Sequence, residues 1–220
     1  MLGLENSGGV KLSGGCDLLP ESAEINFPSQ ESRDCLSIDR QERPVSGTAT
    51  RLMDFAEAHI RERGYTGFSF RSLAAEAGIK SASVHHHFPT KAKMAAVVAR
   101  RYGERFLAAV VAKPNESAED AISVYRSAFR AAFERDGRMC LCGVLGAEAS
   151  VLAPEVTVEV QSFFRSCVED LARRIGGPAA TSEAFHVMAT LEGGMMLARA
   201  YGDIDAFDQA ASILTRPATC

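Results

Sequence analysis

An all-α fold follows from three features of the sequence. Apolar residues recur at helical spacing from Ser46 onward, no segment shows the strict alternation of a half-buried strand, and Gly or Pro stands where the period breaks. The expected organisation is a three-helix helix-turn-helix domain over residues 44–93, followed by a second helical domain over 94–216. Residues 1–43 are rich in Gly, Ser, Asp and Glu without a sustained period, and are expected to be a disordered acidic tail or sequence ahead of the true start.

The first helix is TATRLMDFAEAHIRERG, which sets Leu52, Phe55, Ala56 and Ile60 on one face with charges opposite, and Gly64 stops it. Ser69 is placed to cap FRSLAAEAG, which carries Leu73 and Ala77 inward and ends at Gly78. Ser81 is expected to cap the short helix ASVHHHF, stopped by Pro89. Thr90 opens KAKMAAVVARRYGERFLAAVVA, expected to run up to Pro114. EDAISVYRSAFRAAFER ends at Asp136–Gly137, and LCGVLGAEASV stops before Pro154. Pro154 suits the first turn of PEVTVEVQSFFRSCVEDLARRIG, where the β-branched run VTVEV makes the weakest case for a helix. SEAFHVMATLEGGMMLARAYG and DIDAFDQAASILTR complete the chain, with Asp203 placed to cap the second.

Net charge is −4, yet Pro44 to Lys93 holds seven basic residues against four acidic ones, so one basic segment sits in an acidic chain. No apolar run approaches the roughly 18 residues needed to span a bilayer. The N-terminus has no cationic start followed by a continuous apolar stretch. A cytoplasmic protein without a membrane partner is therefore expected. Cys16, Cys35, Cys140, Cys142, Cys167 and Cys220 include no CxxC pair, which argues against a zinc ribbon or a redox dithiol. GxSxG, HExxH and a phosphate-binding glycine loop are all missing, so neither an enzyme nor a cofactor is expected.

The stretch AGIKSASVHHHFPTK carries the most information. Successive helical residues point about 100° apart, so His85, His86 and His87 do not converge on one metal ion; zinc-binding helices space their histidines four apart. A helix ending in Ala–Gly, a short turn and a second helix of about seven residues outlines a helix-turn-helix instead. Gly78 permits the turn, and Leu73, Ala74, Ile79 and Val84 supply the contacts between the two helices. The second helix of such a unit enters the DNA major groove, and Lys80, Ser81, Ser83, His85 and His86 are its polar groups. His87, next to Phe88, is expected against the first helix.

From Arg51 to Met94 the chain resembles the DNA-binding domain of the tetracycline-repressor (TetR/AcrR) family. LAAEAGIKSASVHHHFPTKAKM matches that family's A-x-x-A-G-V core, small polar helix, and tyrosine–x–histidine–phenylalanine ending before a lysine. The resemblance implies DNA contacts at Ser69, Arg71, Lys80, Ser81, Ala82, Ser83, His85, His86 and Lys91. One departure is His85, which stands where the family has a phosphate-contacting tyrosine; imidazole still donates a hydrogen bond to phosphate.

The resemblance also implies a C-terminal domain for ligand binding and dimerisation. In the family a small molecule alters the spacing of two DNA-reading heads and releases a palindromic operator. Gly193, Gly194, Ala198 and Ala200 would let helices approach closely, making Glu183–Ala200 and Ile204–Leu214 the expected interface between two subunits, against the alternative that these glycines pack within one. Phe129, Phe133, Leu145, Phe163, Phe164, Met188 and Met196 are the expected effector pocket, although residues of these types at helical spacing also build plain cores. RMCLCGVLGAE resembles the sixth-helix region of many family members, and in some of them a cysteine at about this place senses electrophiles or oxidants, which makes Cys140, near a helix start and after Arg138, the candidate reactive thiol. The reading is a ligand-responsive dimeric repressor; the alternatives are an architectural DNA-binding protein, a thiol-sensing repressor, or an activator.

Overall fold

The computed structural model describes residues 47–215; the acidic tail expected over 1–43 lies outside the described residues. Within that range the helices are α1 (Gly47–Arg63), α2 (Phe70–Ala77), α3 (Ser81–His87), α4 (Lys91–Ala109), α5 (Ala118–Asp136), α6 (Leu141–Ala147), α7 (Pro154–Ile175), α8 (Ala180–Tyr201) and α9 (Asp205–Ala211), with 3₁₀ turns at Ala149–Val151 and Ser212–Thr215. No strand occurs among the described residues, and none of their helices is long and apolar enough to cross a membrane.

The helix starts follow local chemistry. Ser69 accepts a hydrogen bond from the Ser72 amide at 3.1 Å and Ser72 returns one, closing a capping box on α2. Thr90 caps α4 through the Lys93 amide at 3.0 Å. Ser117 and Asp120 form a second capping box on α5. Two expectations need correction. Ser81 does not cap α3: Lys80 holds the cap position with extended backbone, and Ser81 is the first helical residue. The fourth helix ends at Ala109, not at Pro114. There Arg174 donates to the Val110 carbonyl at 2.7 Å and to Glu116, so a distant side chain takes over a backbone acceptor that another helical turn would have used. The VTVEV segment is helical, because Val156 and Val160 fall on one buried face and packing outweighs β-branching. Asp203 accepts from the Asp205 amide at 3.0 Å at the entry to α9.

α1, α2 and α3 pack around Leu52, Ile60, Phe68, Leu73 and Val84, all essentially inaccessible. α4 begins beneath this head and continues onto α7, while α8 lies between α7 and α9. The boundary expected between residues 93 and 94 therefore falls inside one continuous helix, and the apolar core runs from Ala49 to Ala211.

Charge fixes the head on the body. Arg61, near the end of α1, is 2% exposed. It donates to the Met139 carbonyl at 2.8 Å, to both Asp136 carboxylate oxygens at 2.6 and 3.0 Å, and to the carbonyls of Arg138 and Ala132 at 3.1 and 3.3 Å. Asp54 and Glu57 of α1 pair with Arg101 and Arg105 of α4. Truncating Arg61 would take its side-chain donor away from three carbonyls and leave the Asp136 carboxylate with Arg138 in place of its closest partner. Arg61→Ala is therefore expected to lower folding stability by about 3 kcal/mol or more, read from the shift of the urea-unfolding midpoint; a loss below about 1 kcal/mol would contradict the role given to this side chain.

Candidate nucleic-acid interface and effector core

The turn between α2 and α3 rests on Gly78, whose left-handed backbone (φ +68°) lets its amide and that of Ile79 bond back to the Ala75 and Ala74 carbonyls. Val84 is the one fully buried residue of α3, and its neighbours consequently point outward. Arg71, Lys80, Ser81, Ala82, His85 and His86 are exposed, and Ser83 is half-buried. His85 packs edge-on against Phe70, with ring centres 4.8 Å apart, while His86 and His87 meet each other edge to face; His87 is half-buried. Among the described residues no three His, Cys, Asp or Glu side chains are placed to hold a metal ion. Ser69 is exposed, with its hydroxyl engaged in the α2 cap.

Lys91, half-buried at the start of α4, has its ammonium 4.6 Å from the Tyr65 ring centre and 4.7 Å from that of Phe68. Burial lowers its pKa, partly opposed by Glu148. Glu148, at the C-terminal end of α6, accepts from the Tyr65 and Thr66 amides at 3.1 and 3.3 Å. A Cβ on Gly64 (φ +77°) would overlap the Glu148 carboxylate, so glycine serves there both the turn and this close approach. Lys91 and Glu148 thus brace the α1–α2 turn, a role with no local sequence signal because its partners lie far apart in the chain.

In the second half, Phe129, Phe133, Leu145, Phe163 and Met188 are buried and Phe164 is half-buried. Phe129 and Phe163 meet through Phe106, with ring centres 5.2 and 5.5 Å from it, and Tyr102 and Tyr125 extend the cluster. Sequence reasoning left out Tyr102 and Phe106, although their spacing of four on one helix marks a shared inward face. Met196 does not join this group: it is 60% exposed on the outer side of α8, which corrects its placement in an interior pocket.

The thiol expectation is corrected as well. Cys140 is at the cap position of α6, but it is buried along with Cys142 and Cys167, and burial pushes all three pKa values up. Arg138, expected to favour a thiolate, turns instead to Glu62 and Asp136. The nearest charge to Cys140 is the Glu192 carboxylate, which favours the neutral thiol further.

Residues 52–98 match the family of bacterial regulatory proteins designated tetR. No curated protein matches the chain. A TetR transcriptional regulator from Legionella pneumophila is similar in structure, with 26% identity, a TM-score of 0.72, and coverage of 78% of this chain and 97% of its own. A TetR-family regulator from Agrobacterium tumefaciens has 26% identity and a TM-score of 0.72, covering 76% and 95%. The reduced form of E. coli NemR shares the fold at 19% identity and a TM-score of 0.66, covering 79% and 100%.

A buried neutral thiol is a poor nucleophile. Brief native alkylation with iodoacetamide at pH 7.5, read by peptide mass spectrometry, is expected to leave Cys140, Cys142 and Cys167 unmodified until denaturant is added; fast native modification of Cys140 would restore the sensor reading.

Proposed function

We propose that this TetR-family transcriptional regulator acts as a homodimer that grips a palindromic duplex through α3 and lets go when a small molecule enters the core of its C-terminal helices. The observation that carries the reading is the split character of α3. Val84 is its one fully buried residue, and the side chains at Lys80, Ser81, Ala82, His85 and His86 are exposed toward base edges and phosphates, His85 with its ring edge-on to Phe70. Arg71, Ser69 and Ser83 flank that surface, and Lys91 lies beside it at the start of α4. A DNA partner supports a cytoplasmic location.

Dimerisation is supported by the outer side of α8. Gly193 faces open space, and Met196, Leu197 and Tyr201 are exposed on the same helix, Tyr201 to 76%, with Ile213 exposed just beyond α9. Such a face loses water favourably against a second copy of itself. Gly194 serves a different purpose, since it brings α8 onto Phe207 and Ala210 of α9 within one subunit. The two adjacent glycines thus divide the two packing roles between them.

Selection of bound duplexes from random DNA is expected to recover an inverted repeat. Lys80→Ala should weaken binding to all selected sequences alike and reduce the slope of log affinity against log salt by about one; an unchanged slope would remove the phosphate role. Met196→Glu should convert the dimer to monomer in light scattering, and a dimer of undiminished stability would place the interface elsewhere.

A further inference from the structure

Arg105 of α4 and Arg135 of α5, both exposed, line a cleft of about 230 Å³ between these two helices, with Phe106, Ala128, Ala131 and Ala132 as its apolar walls. The same two arginines line a neighbouring cleft of about 370 Å³ against α1 and the α5–α6 turn. Neither is used up by the protein's own carboxylates. Arg105 gives Nη2 to both Glu57 oxygens, at 2.8 and 2.6 Å, and no acceptor among the described residues takes its Nε or Nη1. Arg135 comes no closer to Asp136 than 3.8 Å, beyond hydrogen-bond distance, and Asp136 already receives two bonds from Arg61. Arg101, one turn before Arg105, pairs with Asp54 and keeps a buried Nη1 without an acceptor. Arg138 turns to Glu62. The joint therefore holds more guanidinium donors than its own acceptors take up, and the surplus lies where the two clefts meet.

We propose that this joint binds a small organic acid, its carboxylate on Arg105 and Arg135 and its apolar part in the α4–α5 cleft beside Phe106. A guanidinium presents its N–H groups as a planar fork that matches a carboxylate, and stays charged throughout the physiological range. The cleft is smaller than the roughly 300–1,000 Å³ that hold drug-sized ligands, which favours a single ring or a short branched chain. Asp54, Glu57 and Asp136 line the neighbouring cleft and repel a second negative charge, which favours a monoanion over a phosphate ester. This site is distinct from the aromatic core to which the effector is assigned above, and its occupant acts differently. It fastens α4 to α5 beside the Arg61 tie, and so favours the arrangement of head and body in which that tie is made.

The test is calorimetric titration of the full chain, without DNA and at low ionic strength, where exposed charges are least screened. Benzoate, benzamide and benzamidine share a ring and a shape and differ in charge, while acetate keeps the charge without the ring. Benzoate should saturate and bind at least about tenfold more tightly than the other three. Arg135→Gln removes an exposed side chain and should weaken benzoate by about tenfold. Ala131→Leu fills the cleft from an exposed position and should weaken it as well, whereas Arg173→Gln, which removes an exposed arginine of α7, should change nothing. Benzoate should also raise the unfolding temperature of the unaltered protein. No saturable benzoate binding, equal affinity for benzoate and any of the other three probes, or a loss in Arg135→Gln no larger than in Arg173→Gln would each overturn the proposal; the first two need no variant.

Discussion

The guanidinium of Arg61 is the constraint on which the arrangement of head and body depends. A cation removed from water must find an acceptor for nearly every N–H, and Arg61 finds all of its acceptors in one short stretch, from Ala132 to Met139. The end of α1 is therefore tied to the turn between α5 and α6 by a set of bonds that stand or fall together. Carbonyl oxygens fix direction as well as distance, so the tie resists rotation where an apolar contact of the same area would allow sliding. Glu62 and Arg138 continue the tie outward, and Arg199 of α8 reaches the Glu62 carbonyl.

A second strap holds the turn that follows α1. Glu148 holds two amides of the α1–α2 turn, and the Lys91 ammonium sits on two aromatic rings within the electrostatic reach of that carboxylate. These contacts explain why the head is not an independent bead on a linker. α4 passes from one domain to the other without interruption, Asp54 and Glu57 pair with arginines along it, and the apolar core is shared. A rigid head of this kind suits the proposed recognition of two spaced half-sites, because motion inside the head would blur the distance between them.

What the sequence disclosed and what it concealed divide along the range of the interactions. Gly78, Ser69 and Thr90 act on residues within four positions of themselves, and each was legible as a turn or a cap. The apolar face of α1 and the single inward anchor of α3 follow from helical period alone. Ser81 was misjudged by one position, since nothing local distinguishes a serine at the cap from one just inside it when no side-chain bond forms. Arg61 and Glu148 were illegible for a different reason: their partners are 71–83 positions away, and an arginine in a charged helix end reads as solvated. Cys140 shows the hazard in the opposite direction. A helix start and a neighbouring arginine favour a thiolate only where the site is wet and the arginine turns toward it, and neither holds here.

The two ends of α6 give these separate observations a common axis. Gly143, in its first turn, leaves the room that a Cβ would take from the Glu192 carboxylate, and Glu148, just past its last turn, holds the backbone of the α1–α2 turn. A helix of seven residues is about 10 Å long and too short to bend appreciably, so it moves as a rod. Any displacement of α6 at Gly143 must either drag the α1–α2 turn along or break its bonds to Glu148. Charge-assisted hydrogen bonds of this sort are worth roughly 1.5–3 kcal/mol each, comparable with the 1–3 kcal/mol that typically couples two sites in a regulatory protein. Breaking the Glu148 bonds is thus on the energy scale by which one site influences another, whereas the outer surface near Met196 has no such rod behind it.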